Sequence, residues 1–294
     1  MAKVVVVGSI NADLIVTTAT LPLPGATVIG NSVATLPGGK GLNQAVAAAR
    51  SGAATSLAGC LGLDDHGDEI AKFLAAEHID IAHLARVRSN TGIAIVTVDR
   101  NGENTIVVVP GANQAVELQG IGDNVLASLD PGDVLLAQLE LPANIVTRVL
   151  AHAAQRGAIT MLNPSPVSDD ARSVADHASI VVVNEVEADH LGYPDGRTEG
   201  QAVVITRGAA GVAWFDGAGE LTIGARPANA IDTTGAGDCF TGVLAASIAQ
   251  GLAIPVALRR AVVAASLQVE NVGAAPAMPT AAEIETANER PPGG

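Results

Sequence analysis

IDTTGAGDCFTG, residues Ile231 to Gly242, runs from a glycine-rich turn through an aspartate into an amphipathic helix. The amides of Gly235, Ala236 and Gly237 carry little side-chain bulk, and the helix aims its positive end at whatever sits above the turn. An anion is expected there. A carboxylate at Asp238 would repel a bound phosphate, so Asp238 is a candidate general base rather than a phosphate holder. The competing reading is a helix cap, in which Thr233, Thr234 or Asp238 merely accepts from free helix amides.

A strand-to-turn-to-helix rhythm spreads outward from this stretch. Lys3 to Val7 is a β-branched run ending in Gly8, the pattern of a buried parallel strand. Gly39 to Ser51 reads as an alanine-rich helix stopped at Gly52, Ala54 to Gly59 as a strand, and Asp65 to Glu77 as a helix. Strands are expected over Val134 to Leu139, Ala158 to Leu162, Ile180 to Val183 and Ala202 to Thr206. Helices are expected over Pro142 to Arg156, from Glu185, over Ala236 to Gly251 and over Ile254 to Val269, with a meander at Gly211 to Phe215 and Leu221 to Ile223. Two segments break the rhythm. Residues 91–110 form a hairpin around Arg100-Asn101-Gly102-Glu103, and residues 13–37 are extended pieces punctuated by Pro22, Pro24, Gly25 and Pro37. The expected fold is a three-layer α/β/α domain with a mostly parallel central sheet, spanning residues 1–294 as one unit, with a small β-sheet lid built from the two interruptions. The terminal ERPPGG lacks apolar anchors and is expected to fray.

Composition removes several function classes. The 294 residues carry a net charge of −14, which argues against nucleic acid or an anionic membrane surface as partner. No apolar run approaches the roughly 18 residues of a membrane span, and the MAKVVVVGSINAD start has too short an apolar run for a secretory leader. A cytoplasmic location is expected. Cys60 and Cys239 show no metal or disulfide spacing, although a helix start next to Asp238 is a place where the Cys239 thiol pKa can fall. The only aromatics are Phe73, Tyr193, Trp214, Phe215 and Phe240, too few for a site built on base stacking.

Two familiar phosphate motifs fail. Lys40 is followed by Gly41 and preceded at the first glycine position by Ala34, so no P-loop is present, and GSINAD lacks the dinucleotide glycine fingerprint. Polar residues instead gather just past strand ends, where open α/β sheets bind ligands. Asn11 and Asp13 follow the first strand and are candidates to hold a polyhydroxylated substrate, or else form an Asx turn. Asn43 lies one turn into the helix after GGKG with the same ambiguity. Glu140 follows LLAQL and either accepts from hydroxyls or starts the next helix. Asn184 and Glu187, three apart, share a side of a helical turn, and Glu187 is a candidate to hold Mg²⁺ through water.

These residues resemble the ribokinase-like, or PfkB, family of sugar kinases. Gly38 to Ala45 (GGKGLNQA) is similar to the family's N-terminal signature, Asp232 to Asp238 (DTTGAGD) to its C-terminal one, and Asn184-x-x-Glu187 to its N-x-x-E. GSINAD, QLELP around Glu140 and NPSP at Asn163 are most similar to the ribokinases. The resemblance runs from Gly8 to about Pro279. It implies that Asn11, Asp13, Gly39, Lys40, Asn43 and Glu140 contact the sugar, that Asp238 is the base, and that the Gly235 to Gly237 amides form an anion hole. It further implies that Asn184, Thr206 and Gly208 lie along the phosphates of ATP, with Glu187 serving the Mg²⁺ waters. A potassium site is implied at Asp232, the Thr234 carbonyl and the carbonyls around Gln268 and Gly273, with Ala277 where ribokinases often carry a serine ligand.

The resemblance therefore implies ATP-dependent phosphorylation of ribose at its 5-hydroxyl, in a homodimer paired through the lids. Other sugars or nucleosides phosphorylated by this family are the alternatives, the nucleosides disfavoured by the lack of aromatics. A dehydrogenase is disfavoured by the missing glycine fingerprint, and a sugar sensor by the retention of Asp238 and its glycines.

Overall fold

The computed structural model describes residues 2–116 and 125–289. The first strand, β1 (Val4–Val7), is four valines with no solvent exposure. Continuous apolar character of this kind marks a strand covered on both faces, and the valines divide between two cores. Val4 and Val6 pack with one set of helices, while Val5 and Val7 pack with the other.

From β1 the chain leaves the main sheet to form β2 (Asn11–Thr18) and β3 (Gly30–Gly38), then returns through α1 (Lys40–Arg50) to β4 (Thr55–Gly62), α2 (Asp65–Ala76) and β5 (Leu84–Val87). It leaves again for β6 (Gly92–Val98) and β7 (Asn104–Val109). The remaining main-sheet strands are β8 (Val134–Gln138), β9 (Ile159–Asn163), β10 (Ile180–Asn184), β11 (Ala202–Thr206), β12 (Val212–Asp216) and β13 (Gly219–Ile223). Among them lie α3 (Ala143–Gln155), α4 (Ala171–Ala175) and α5 (Glu185–Leu191). Three helices finish the chain: α6 (Ala236–Ala249), α7 (Ile254–Gln268) and α8 (Ala281–Glu289).

The main sheet has nine strands in the order β13-β12-β11-β10-β9-β8-β1-β4-β5, parallel from β11 to β5 with β12 and β13 antiparallel at one edge. Helices α1, α2, α6, α7 and α8 cover one face and α3, α4 and α5 the other. The four-stranded small sheet, ordered β3-β2-β6-β7, joins two antiparallel pairs through a parallel β2–β6 contact. This is the expected three-layer architecture with a β excursion. Because β1 is flanked by β8 on one side and β4 on the other, the strand order reverses at β1, and the cleft at its carboxyl end is where such sheets bind ligands.

Three elements were not expected from sequence. β5 is a short edge strand with half-exposed side chains, α4 has only five residues, and α8 lies beyond the last strong apolar pattern, anchored through Ile284 and Ala287. Of ERPPGG, Glu289 is the last residue of α8, and residues 290–294 lie outside the described residues.

One packing contact decides where the site forms. Helix α6 crosses α1 so closely at Gly242 that a Cβ there would run into the Gln44 carbonyl and lie 2.7 Å from the Ala47 Cβ. With no side chain at this point, the first turn of α6 lies against the polar residues at the start of α1.

Candidate active site

Asp238 lies in the first turn of α6 and is 7% exposed. Its carboxylate accepts from two amides of α1, Asn43 Nδ2 to Oδ2 at 3.0 Å and Gln44 Nε2 to Oδ1 at 2.9 Å. The residue preceding α6 is Gly235 in the left-handed region (φ 81°), and no side chain caps the helix. The cap reading of Thr233, Thr234 and Asp238 is therefore overturned, since Asp238 faces across to α1 instead of back to its own helix. A Cβ at Gly235 would approach the Ala274 Cβ at 2.7 Å, so both its conformation and its surroundings require glycine.

Gln44 is held from the other side as well. Its Nε2 also donates to Asn163 Oδ1 at 3.2 Å, its Oε1 accepts from Gln138 Nε2 at 2.6 Å, and Asn163 Nδ2 donates to the Val182 carbonyl at 2.9 Å. All four side chains are buried. A buried network with this many partners fixes the Asp238 oxygens in place.

Around the turn, the Ala236 amide donates to the Thr233 carbonyl at 3.2 Å. The amides of Gly235, Gly237 and Asp238 have no partner among the described residues. They are the donors that a developing negative charge would meet, with Asp238's own amide in place of Ala236's.

The sugar candidates cluster at the carboxyl end of β1. Asn11 opens β2 and is 3% exposed; its Oδ1 accepts from Asn113 Nδ2 at 2.8 Å, and Asn113 also bonds both backbone groups of Ile10. Asn11 and Asp13 lie in regular β2–β3 pairing opposite Gly38 and Leu36, which excludes the Asx-turn reading. Glu140 precedes α3 instead of entering it, and its Oε2 accepts from Ser9 Oγ at 2.5 Å and from the Lys40 amide at 3.2 Å. Gly39 is the residue preceding α1, so Lys40 opens that helix.

Charge in this cluster is uneven. Burial, then the neighbouring Glu140 and Asp238, push the Asp13 carboxyl up to about 7. Asp238, then Glu140 and Glu187, hold the Lys40 ammonium above its ordinary value against the opposing effect of burial. Lys40 thus stays a cation amid three carboxylates. Two buried acceptors in the cluster, Asp13 Oδ1 and Asn43 Oδ1, have no donor among the described residues. Hydroxyl groups of a ligand would supply what they lack.

Beside Asp238 a cleft is lined by Lys40, Asn163, Ser165, Asn184, Glu187, Thr206, Gly235, Gly237 and Thr241. Asn184 and Glu187 form a capping box at the start of α5, each side chain bonded to the other's amide at 2.8 and 2.9 Å, while both also face the cleft. Gly208 sits in the turn after β11 and Ala236 behind the glycines, neither among the lining residues.

Sequence reasoning missed the supports: Gln44, Gln138 and Asn163 behind Asp238, Asn113 behind Asn11, and Ser9 behind Glu140. Their only signal was position, as polar residues at strand ends or next to a candidate. Cys239 is a correction. It is fully buried, and burial followed by the Asp238 charge raises its pKa, opposite to the effect expected of a helix start.

On the far side of the turn, Asp232 Oδ1 accepts from the Thr234 amide and Oδ2 from the Gly273 amide, both at 2.9 Å. Burial works against ionisation, but these hydrogen bonds outweigh it and hold the carboxyl below its ordinary value. The Gln268 side-chain amide donates to the Thr234 carbonyl at 2.6 Å and to the Gly273 carbonyl at 2.9 Å.

The family profile for pfkB family carbohydrate kinases matches residues 1–281. Among characterised relatives, ribokinase of Bacillus subtilis is 38% identical over 97% of this chain and 99% of its own length, and ribokinase of Lactococcus lactis is 32% identical over 97% and 96%. Ribokinase from Thermotoga maritima superposes with a TM-score of 0.90 at 26% identity, covering 99% of this chain and 100% of that one. Arabidopsis thaliana ribokinase, solved with ribose and ATP, superposes with a TM-score of 0.87 at 31% identity over 99% and 100%. With its fold, its paired glycine signatures and these relatives in agreement, the chain belongs to the pfkB family of carbohydrate kinases.

Proposed function

We propose that this chain transfers the γ-phosphoryl group of ATP to the 5-hydroxyl of D-ribose, giving ribose 5-phosphate and ADP. The observation that carries the reading is the placement of Asp238. A carboxylate locked by Asn43 and Gln44 stands at the mouth of a helix whose first amides are free, beside buried acceptors that lack hydroxyl donors. Relatives of more than 30% identity over nearly the full chain are ribokinases, which favours ribose over the other sugars of the family.

In this reading Asn11, Asp13, Gly39, Lys40, Asn43 and Glu140 bind the sugar. Asp13 Oδ1 and Asn43 Oδ1 accept from its hydroxyls, and the Ser9 and Lys40 donors keep Glu140 oriented toward the same cleft. Asp238 takes the proton from the 5-hydroxyl as the oxygen attacks phosphorus, and that proton resides on its carboxyl until the product leaves. Lys40, protonated beside Asp238, offsets negative charge in the cleft. The free amides of Gly235, Gly237 and Asp238 meet the charge that builds on the transferred phosphoryl group; loss of one such donor typically costs about 10² to 10³ in rate. Asn184 and Thr206 lie along the nucleotide phosphates, with Gly208 at the rim.

Mg²⁺ suits the donor set. Among the described residues no cluster of three His, Cys, Asp or Glu side chains is placed to cage a metal; Glu187 and Asp238 are the carboxylates lining the cleft, and Glu187 has one oxygen bonded to the Asn184 amide. Mg²⁺ commonly binds through one carboxylate, waters and substrate phosphates, and when bound it neutralises phosphate charge.

The 294 residues act as one kinase unit, with the small sheet as a lid that excludes water from the sugar. Val33, Ile95, Val107 and Val109 are exposed apolar residues on one face of that sheet, with Ile106 and Val108 exposed on the other. An apolar face of this kind is suited to pair with the same face of a second copy, which supports a homodimer. No described helix is long and apolar enough to cross a membrane, and use of ATP fits a cytoplasmic location.

The test is a coupled ADP-release assay across a sugar panel. Ribose is expected to give the highest kcat/KM; ADP release that ignores the sugar, or that is fastest with fructose or a nucleoside, overturns the reading.

A further inference from the structure

The turn that presents the free amides is braced from behind, and the brace departs from the family pattern. A monovalent cation at this place would be held by the Asp232 carboxylate and by the carbonyls of Thr234, Gln268 and Gly273. In this chain none of those oxygens is idle. Both Asp232 oxygens accept backbone amides at 2.9 Å, and the Gln268 carbonyl accepts from the Asn271 amide at 3.0 Å. The carbonyls of Thr234 and Gly273 converge on Gln268 Nε2, at 2.6 and 2.9 Å. Gln268 is fully buried, and residue 277 is an alanine with no side-chain oxygen to offer. The residues do not fit a potassium ion.

We infer that Gln268 replaces that ion. Its side-chain amide sits between the two carbonyls where a cation would sit, and its two N–H groups tie the Asp232–Gly235 turn to the end of α7, so that the kinase works without potassium.

The orientation of the amide follows from its surroundings. Turning it over would point Oε1 at two carbonyl oxygens, a repulsive arrangement that only a bound cation could relieve. As placed, Oε1 is the atom left buried without a partner among the described residues. One unmet acceptor is thus tolerated so that two carbonyls on separate segments stay joined. A neutral amide does for the turn what a charge would otherwise do, with geometry set by the chain and not by ion concentration.

The inference rests on the kinase reading above, and the experiment separates the two. Activity and melting temperature are measured in KCl and in tetramethylammonium chloride at equal ionic strength, for the wild type and for Gln268→Ala and Gln268→Met. The wild type is expected to keep its rate and melting temperature in both salts. Gln268→Ala, which opens the space, is expected to lose about tenfold in activity without potassium and to recover with it, its melting temperature rising in KCl. Gln268→Met fills the space without donors and is expected to lose activity in both salts. A wild type activated several-fold by potassium, or stabilised by it, overturns the inference, as does a Met variant with wild-type activity. If no sugar releases ADP in either salt, the kinase reading fails, while the melting temperatures still report whether Gln268 keeps potassium out.

Discussion

Gln44 Nε2 donates to Asp238 Oδ1 at 2.9 Å across 194 residues of sequence. The same amide is fixed by Gln138 and Asn163, so the orientation of the Asp238 carboxylate is set by two main-sheet strands and α1 as well as its own helix. Asp238→Asn keeps the shape and removes the base. We expect kcat with ribose to fall by about 10² to 10⁴ with a much smaller change in KM. Steady-state kinetics with circular dichroism as a folding control would check this; a variant within a few-fold of wild type removes Asp238 from its assigned role.

Gln44→Leu tests the support separately. It deprives Asp238 of one of its two donors, and leaves a buried carboxylate oxygen and a buried Gln138 amide unmet. Stability is expected to fall by about 1 to 3 kcal/mol, with kcat lowered while ATP affinity is kept. Denaturant unfolding alongside kinetics distinguishes this from a simple folding defect.

Asp13 predicts a pH dependence. Its carboxyl stays neutral in the folded chain up to about 7, whereas it ionises near 3.8 when unfolded. Between those values the unfolded state binds fewer protons than the folded one. Stability of the sugar-free protein is therefore fullest at the acid end and is lost as pH rises through about 7, by up to about 4 kcal/mol from this group. Asp13→Asn should flatten that decline in urea unfolding measured across the range. Sugar hydroxyls donating to Oδ1 favour the ionised form, so ribose binding near neutrality should release a fraction of a proton. Calorimetry in buffers of different ionisation enthalpy would detect it, and Asp13→Asn should abolish it.

Gly242→Ala probes the crossing of α6 on α1. The added methyl meets the Gln44 carbonyl, so the helices must part. We expect about 1 to 3 kcal/mol of destabilisation and a kcat loss out of proportion to the methyl's distance from the substrate. Wild-type kinetics in this variant would show that the Asp238 position does not depend on that contact.

The exposed valines of β7 provide a further test. Val107→Asp on the edge strand should shift a dimer toward monomer in light scattering while leaving the melting transition nearly unchanged. A wild type that is monomeric at all concentrations rules out the pairing.

How far the sequence foretells this molecule depends on the range of the interaction. β1, α1 and the α6 turn were readable because a valine run, an alanine-rich helix and a glycine turn act locally on the backbone. Asn11, Asp13, Asn43, Glu140 and Asp238 could be named because each follows a strand end or a glycine turn. The bond from Gln44 to Asp238 could not be read, since it depends on how closely two distant helices cross at Gly242. β5 escaped because Leu84 to Val87 is a short edge strand without full burial, and α8 because only Ile284 and Ala287 tie it down. Gln268 could be named only for its backbone carbonyl, as part of the implied potassium site, and not for its side chain. Only the folded chain shows where its amide reaches.

The small sheet departs from the main one through Asn11, which is both the first residue of β2 and a member of the candidate sugar cluster, pinned by Asn113 together with Ile10. Asp13, two residues on, belongs to the same strand. In the kinase reading, Asn11 and Asp13 grip the sugar from the small sheet, while Asn43, Glu140 and Asp238 meet it from the main body. In that reading, any tilt of the small sheet would change part of the grip on the sugar and its distance from the base in a single movement. Substitutions far out on β3 or β7 should therefore register first as altered discrimination among sugars, before any loss of ATP binding.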